Sequence, residues 1–315
     1  MPNPEIIVKT EGKLIWHNKS KTGSVPKILE LNQGGIRISA PKSIVPILND
    51  DGTLNHWKKT QEPETSVNVS MLYRDRLGSL LGATPMGFED KDAGVSTAFG
   101  DLYHQGSSGG IIDVIGTPNV TLASYNISSA AEGNSIDLAF RGIGEPSNSA
   151  VAVALAEAIT LGNPEVIVAA ESYVRWLSGG AGAPTARTLG FTNAGWRLTV
   201  NFNTLLVRKT DTSFSHAKAM VPTWDLTVNQ FYQDGVTNLL WDTVNGYGVK
   251  AAGKSVPFGT IAVEGTLATG GLESIRLANA TLTQWDFSQA AEGNPLALTF
   301  RGIGAPQFLT ASLGA

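Results

Sequence analysis

Cysteine is absent from the 315 residues, and methionine is scarce at 4. Without thiols there is no disulfide framework, no thiolate nucleophile and no cysteine-based zinc or iron–sulfur site. Charge is thin as well. Asp, Glu, Lys and Arg make up 16% of the chain, against roughly 25% in an average soluble domain, which excludes a coiled coil or helical array. No apolar run reaches the length of a membrane-spanning helix. The most apolar window, residues 150–161, is too short and carries Glu157. A net charge of -4 without any Lys/Arg block argues against tight nucleic-acid binding. The opening Met1-Pro-Asn-Pro-Glu5 has neither a basic nor an apolar stretch, so no signal peptide is expected.

What is present is apolar and turn-rich. Hydrophobic residues make up 42% and glycine contributes 35 residues, enough for a real core and many turns. Disorder is excluded by the same figures.

An internal repeat organises the chain. Asn119 to Pro146 recurs 160 residues later as Asn279 to Pro306, without a gap and with 16 of 28 positions identical. The shared core is Ala-Ala-Glu-Gly-Asn (130–134, 290–294), followed by Phe-Arg-Gly-Ile-Gly (140–144, 300–304). The same offset pairs Trp16 with Trp176, and Leu31–Ser39 with Phe191–Thr199. It also aligns Leu54-Asn-His-Trp-Lys58 with Phe214-Ser-His-Ala-Lys218. After a one-residue slip, Val67–Asp75 aligns with Leu226–Asp234. The chain therefore divides into a first domain over 1–147, a linker over 148–164 and a second domain over 165–315, each of ordinary size.

Alternating patterns around the Glu-Gly-Asn turn predict a β-hairpin in each copy. On that pattern Ile136, Leu138 and Phe140 share one face, as do Leu296, Leu298 and Phe300. Leu122, Ser124 and Asn126 are expected to share a face opposite Thr121, Ala123, Tyr125 and Ile127. Helical signals are short: Arg76–Leu81, Thr237–Val244 and the alanine-rich joint. Ala40–Gln61 and Lys209–Met220 read as one pair of matched long loops, Glu89–Gly110 and Gly246–Gly271 as another. The fold class is mainly β, with two tandem β-sandwich or partial-barrel domains, each flanked by a short helix.

Tests for chemistry fail. His17, His56, His104 and His216 have no metal-ligand spacing; His56 and His216 stand at matched positions and read as a duplicated loop contact. Arg141-Gly-Ile-Gly144 ends a hairpin, and Glu145-Pro146 follows where a dinucleotide fold needs a helix. Asn49-Asp-Asp-Gly-Thr53 lacks the alternating ligands and distal Glu of a calcium loop and reads as a turn. Gly106-Ser-Ser-Gly-Gly110 matches a nucleophile elbow without the helix that should follow. The Ser-x-x-Lys matches at Ser24, Ser39 and Ser215 lack the helical turn that would join Ser to Lys. Trp16 and Trp176 fit strand cores better than a glycan platform. The expectation is a non-enzyme with no catalytic, cofactor or metal residues. The duplicated hairpin and its Arg-Gly-Ile-Gly suggest a repeated surface used for assembly.

The layout resembles the tail-tube (major tail) proteins of long-tailed bacteriophages. Three segments carry the resemblance: the strand-and-loop Leu29–Ile38, the strand-helix Ser66–Asp75 with Leu77–Leu81, and the closing hairpin Thr121–Gly142. Most such proteins have one tube domain per chain; a minority are similar to this chain in having two. The resemblance implies a structural virion protein of the tail, assembled in the host cytoplasm. Three chains would form a trimer ring with pseudo-sixfold symmetry, stacking into a tube for genome ejection. Other tail proteins would be its partners and DNA a passing cargo, with no membrane involved. The alternatives are another phage or injection-system structural protein, such as a terminator or baseplate ring, and a glycan-binding adhesion module.

Overall fold

The computed structural model describes residues 12–30, 35–73, 77–81, 87–108, 111–129, 134–149, 157–158, 173–179, 186–190, 195–232, 240, 258–266, 271–290 and 293–314. The chain is mainly β and overwhelmingly antiparallel. Its first half contains β1 (Lys13–Asn18), β2 (Lys27–Glu30), β3 (Gly35–Ser39), β4 (Ser43–Leu48), β5 (Leu54–Gln61) and β6 (Glu64–Leu72). A single helical turn, α1 (Leu77–Leu80), precedes β7 (Gly100–Ser108), β8 (Ile111–Ser128), β9 (Ser135–Ile143) and β10 (Ser147–Ser149). After β11 (Glu157–Ala158) the second half runs through β12 (Tyr173–Ser178), β13 (Arg187–Gly190), β14 (Trp196–Asn201), β15 (Leu205–Arg208) and β16 (Phe214–Lys218). It ends with β17 (Thr223–Phe231), β18 (Gly259–Thr266), β19 (Leu272–Phe287), β20 (Pro295–Ile303) and β21 (Gln307–Leu309).

Strand pairing repeats between the halves. In the first, β2-β1-β7-β8-β10 run side by side, and β3-β6-β9-β8 form a second set. In the second, β13-β12-β18-β19-β21 and β14-β17-β20-β19 do the same. Register repeats too. Trp16 opposes Leu102 as Trp176 opposes Ile261, and Ser147 opposes Gly116 as Gln307 opposes Arg276. Of the joint, Asn148 and Ser149 belong to β10 and β11 adds in parallel to β2; most of it lies outside the described residues.

Period-2 alternation explains the elements. In β9 and β20 the residues Ile136, Leu138, Phe140 and Leu296, Leu298, Phe300 are all buried. Each half nests an indole against a phenylalanine at the same distance: Trp16 on Phe140 and Trp176 on Phe300, both 6.0 Å between ring centroids. Aromatics of this size bury about 150–250 Å² each and dominate a small core.

One expected face is wrong. Leu122 is buried together with Tyr125 and Ile127, whereas Ser124 and Asn126 lie on the opposite face. A β-bulge between Leu122 and Ser124 inserts one residue and flips the alternation, and the same bulge sits between Leu282 and Gln284. All four expected loops contain strands, with β16 in 209–220 and β18 in 246–271. Residues 40–61 hold the β4–β5 hairpin, and 89–110 hold β7. β4 and β5 show water on both faces, so they carry no alternating signal to read. The first flanking helix is the single turn α1; of 237–244 only Leu240, which is buried, is described.

The repeated Asn119/Asn279 and Arg-Gly-Ile-Gly belong together. Both asparagines adopt left-handed backbone (φ 52° and 56°), and their side-chain amides donate to the carbonyls of Ile143 and Ile303. A Cβ on Gly142 would come within 2.7 Å of the Asn119 carbonyl. On Gly302 it would come within 2.2 Å of the Trp224 ring. These glycines permit close packing where a long strand turns from one set of strands into the other.

Candidate assembly surface

The two halves are joined strand to strand. β14 pairs antiparallel with the end of β8, from Arg197 opposite Ser128 to Asn201 opposite Ser124. The ladder continues beyond both ends of that register. The Ser129 amide donates to the Trp196 carbonyl at 3.0 Å, and the Phe202 amide to the Ala123 carbonyl at 2.9 Å. The result is one antiparallel sheet of eight strands, β3-β6-β9-β8-β14-β17-β20-β19. Leu198 and Val200 cover Ile127 and Tyr125 in the junction, and the Phe202 ring lies 6.0 Å from Tyr125. All five are buried.

A second contact reinforces the first. The β15–β16 hairpin reaches back over the first half, stacking Phe214 on Phe99 at 5.1 Å. The Arg208 guanidinium donates to the Glu62 carbonyl (2.7 Å), the Ser96 hydroxyl to the Ala217 carbonyl (2.7 Å), and the Ala219 amide to Thr97 Oγ1 (2.6 Å). At the hairpin tip Thr212 is held at φ 68°, unusual for a β-branched residue, and its hydroxyl accepts from the Glu62 amide.

The sheet's two faces differ sharply. One buries Val67, Val69, Leu138, Phe140, Leu226, Val228, Leu298 and Phe300. The other presents mainly Ser, Thr, Asn and Ala, with Phe231 and Ile303 exposed at strand ends, four arginines (Arg37, Arg141, Arg197, Arg301) and four carboxylates (Glu64, Asp137, Asp225, Asp286). The charges balance and several pair. Arg141 bonds Glu64, and Arg301 Nε donates to Asp225 at 2.7 Å, which raises the Arg301 pKa above its ordinary value. Among the described residues no lysine stands on this face.

A cavity of about 350 Å³ opens where the halves meet, lined among others by Phe88, Glu89, Thr97, Leu122, Phe202 and Met220. Burial raises the Glu89 carboxyl to about 7, with the nearby Lys91 charge opposing the rise. A different carboxylate, Glu264, is fully buried and pins the chain's last described residues. It accepts from Ser274, Ser312 and the Leu313 amide, with Arg175 Nε at 3.3 Å. Its partners come from segments far apart in sequence, so no spacing rule reveals it.

The histidines remain scattered. His17 and His104 lie on the paired strands β1 and β7 but oppose Asp101 and Leu14 respectively. Burial lowers the His104 pKa while the Asp113 charge opposes that shift. His56 and His216 stand on the two hairpins, beside Asn55 (3.0 Å) and Ser215 (3.1 Å). Among the described residues no group of three His, Asp or Glu could hold a metal. Asn49–Thr53 closes as a turn through Asp51, which accepts from the Thr53 amide and hydroxyl. Ser215 and Lys218 lie on strand β16, where residues three apart point to opposite faces. Of Gly106–Gly110, the last two residues lie outside the described residues. Trp16 and Trp176 are core residues; among the described residues Trp57 and Trp285 are the exposed indoles.

No protein-family model matches the chain, and no curated protein matches it.

Proposed function

We propose that this chain is a structural subunit of a long-tailed phage tail tube, with its two halves acting as two tandem tube-type domains. Three chains close into a pseudo-sixfold ring, and rings stack into the conduit through which DNA is ejected. One observation carries the reading: the eight-stranded sheet buries one face and offers the other as a polar, charge-balanced, lysine-free surface. A wall of that chemistry lets a polyanion slide, because affinity for DNA comes mainly from Lys and Arg that neutralise phosphates. Three such sheets edge to edge would give twenty-four strands. At a strand spacing near 4.8 Å and a tilt of about 40°, the barrel measures about 48 Å across between backbones. Inward side chains still leave room for a duplex.

Electron microscopy of purified protein over a range of concentrations is the test, with mass measurement in solution. Rings or tubes with a central lumen and weak DNA affinity at moderate salt support the reading. A monomer at every concentration overturns it, as does tight DNA binding with a steep salt dependence.

A further inference from the structure

The eight-stranded sheet ends on two edges that reproduce the two sides of its own central junction. One end is β3, equivalent to β14; the other is the last part of β19, equivalent to the part of β8 that β14 covers. Among the described strand pairs, β3 joins only β6, and this part of β19 joins only β20. Open strand edges are templates for pairing. The side chains that the junction buries in one half are less covered in the other. Ile127 is 0% exposed and its counterpart Phe287 47%; Leu198 is buried and its counterpart Ile38 is not. The hairpins follow suit. Phe214 stacks on Phe99, while their counterparts Leu54 and Phe258 are 50% and 55% exposed.

From this we infer that the β8–β14 junction is repeated between chains: β3 of one copy pairs antiparallel with the end of β19 of the next, Arg37 opposite Ser288 and Ser39 opposite Asp286. The occupant of each edge is a second copy of this chain. The inference rests on the ring reading and supplies its contact. In that register Ile38 lies opposite Phe287 and Ala40 opposite Trp285, as Leu198 and Val200 lie opposite Ile127 and Tyr125. The β4–β5 hairpin then carries Leu54 onto Phe258.

Hydrogen-bond parity permits the pairing. In β14 the odd residues bond towards β17, shown by the Asn229 amide donating to the Gly195 carbonyl, and the even residues bond towards β8. By equivalence Ile36, Ile38, Ala40 and Lys42 present their amides outward. Pro41, which has none, falls on the inward parity and does not interrupt the edge. Charge agrees as well. Arg37 of one copy lies diagonal to Asp286 of the next, an opposite-charge pair within reach of a long side chain. The internal junction has Arg197 and Asn126 at those places.

Because the chain contains no cysteine, engineered thiols report on this contact without background. Full-length Ser39→Cys and Asp286→Cys are purified separately, mixed, allowed to assemble and mildly oxidised. Ser39 and Asp286 would face each other at a non-hydrogen-bonded pair, where Cβ atoms approach closely enough for a disulfide. The expected result is a disulfide-linked dimer in the mixture, at least ten-fold above either variant alone. Ser39→Cys mixed with Gln284→Cys, two residues out of register, should link far less. Arg37→Cys mixed with Ser288→Cys tests the adjacent pair and decides the matter where one of the first variants fails to fold. Rings that form without either in-register link overturn this contact and leave the ring reading standing. Absence of both links and assemblies overturns both.

Discussion

Tyr125 and Trp285 occupy the same place in equivalent strands, three residues past Leu122 and Leu282, yet Tyr125 is 1% exposed and Trp285 45%. The difference is made by the other half of the chain. Val200 sits opposite Tyr125 in register and Phe202 lays its ring beside it. The residues 160 places before those two are Ala40 and Lys42, on the far end of the same sheet. A duplication inside one chain forms its junction once and leaves one unmatched copy of each side. That is the geometry of a heterologous, head-to-tail contact, which closes into a ring when the rotation allows.

The junction should respond to pH through Glu89. Its carboxyl is raised to about 7 by burial, so the folded chain holds a proton that the unfolded chain has released. Stability from this group is therefore full below about 4.5 and declines as pH rises towards 7. Each pKa unit is worth about 1.4 kcal/mol, so the loss is up to about 3 kcal/mol. Thermal unfolding of the full chain at pH 5 and pH 8 measures it. Glu89→Gln should flatten the profile; an unchanged slope would show that another group is responsible.

Glycine positions in the repeat make separable predictions. Gly302→Ala drives a Cβ into the buried Trp224 ring and should cost about 1–3 kcal/mol through overpacking. Gly304→Ala meets nothing within 4 Å, but its φ of 121° lies where only glycine is comfortable. Its cost is backbone strain of about 1–3 kcal/mol. In a Trp224→Leu background Gly302→Ala should cost less than in the parent, while Gly304→Ala should cost the same, as read by denaturant titration.

Much of this was legible in the sequence. The 28-residue repeat and the alternation in β9 and β20 place matched hairpins, because a strand with one buried face must alternate. The bulge after Leu122 was not legible: one inserted residue changes no composition yet flips every later side chain. Nor was the β4–β5 hairpin, whose exposure to water on both faces removes the periodic signal, nor β15–β16, whose short strands bury little besides Ala217. The Arg-Gly-Ile-Gly repeat looked like a repeated assembly surface. Gly142, Gly144 and Gly302 are packing positions, Gly304 stands clear of its neighbours, and Ile303 faces outward with the two arginines. The junction was beyond reach, since Ile127 and Phe287 are both hydrophobic in strands and only the packing of the other half separates them.

Glu264 is expected to anchor the C-terminal stretch. Glu264→Ala strands the Leu313 amide and Arg175 without their buried acceptor, at a cost of about 3 kcal/mol or more. Limited proteolysis should then cut near residues 311–314 well before the rest of the chain. Glu264→Gln, which keeps an acceptor oxygen, should lose less. Equal protection of the C-terminal stretch in all three proteins would refute the anchoring role.

The repeated junction predicts opposite outcomes for the same pair of substitutions in the two halves. Trp285→Ser with Phe287→Ser removes two half-exposed side chains, of which Phe287 also meets the Tyr232 ring edge-on at 5.3 Å. Its unfolding free energy should fall far less than that of the matching buried pair, while assembly is lost. Tyr125→Ser with Ile127→Ser empties the internal junction instead, and large-to-small changes at such sites cost about 2–5 kcal/mol each. That variant should unfold near room temperature or not fold at all. Denaturant titration and sedimentation together read both effects. If the exposed pair proves as destabilising as the buried one, then β19 is covered within its own chain. If the exposed pair leaves assembly intact, the chains associate through another surface.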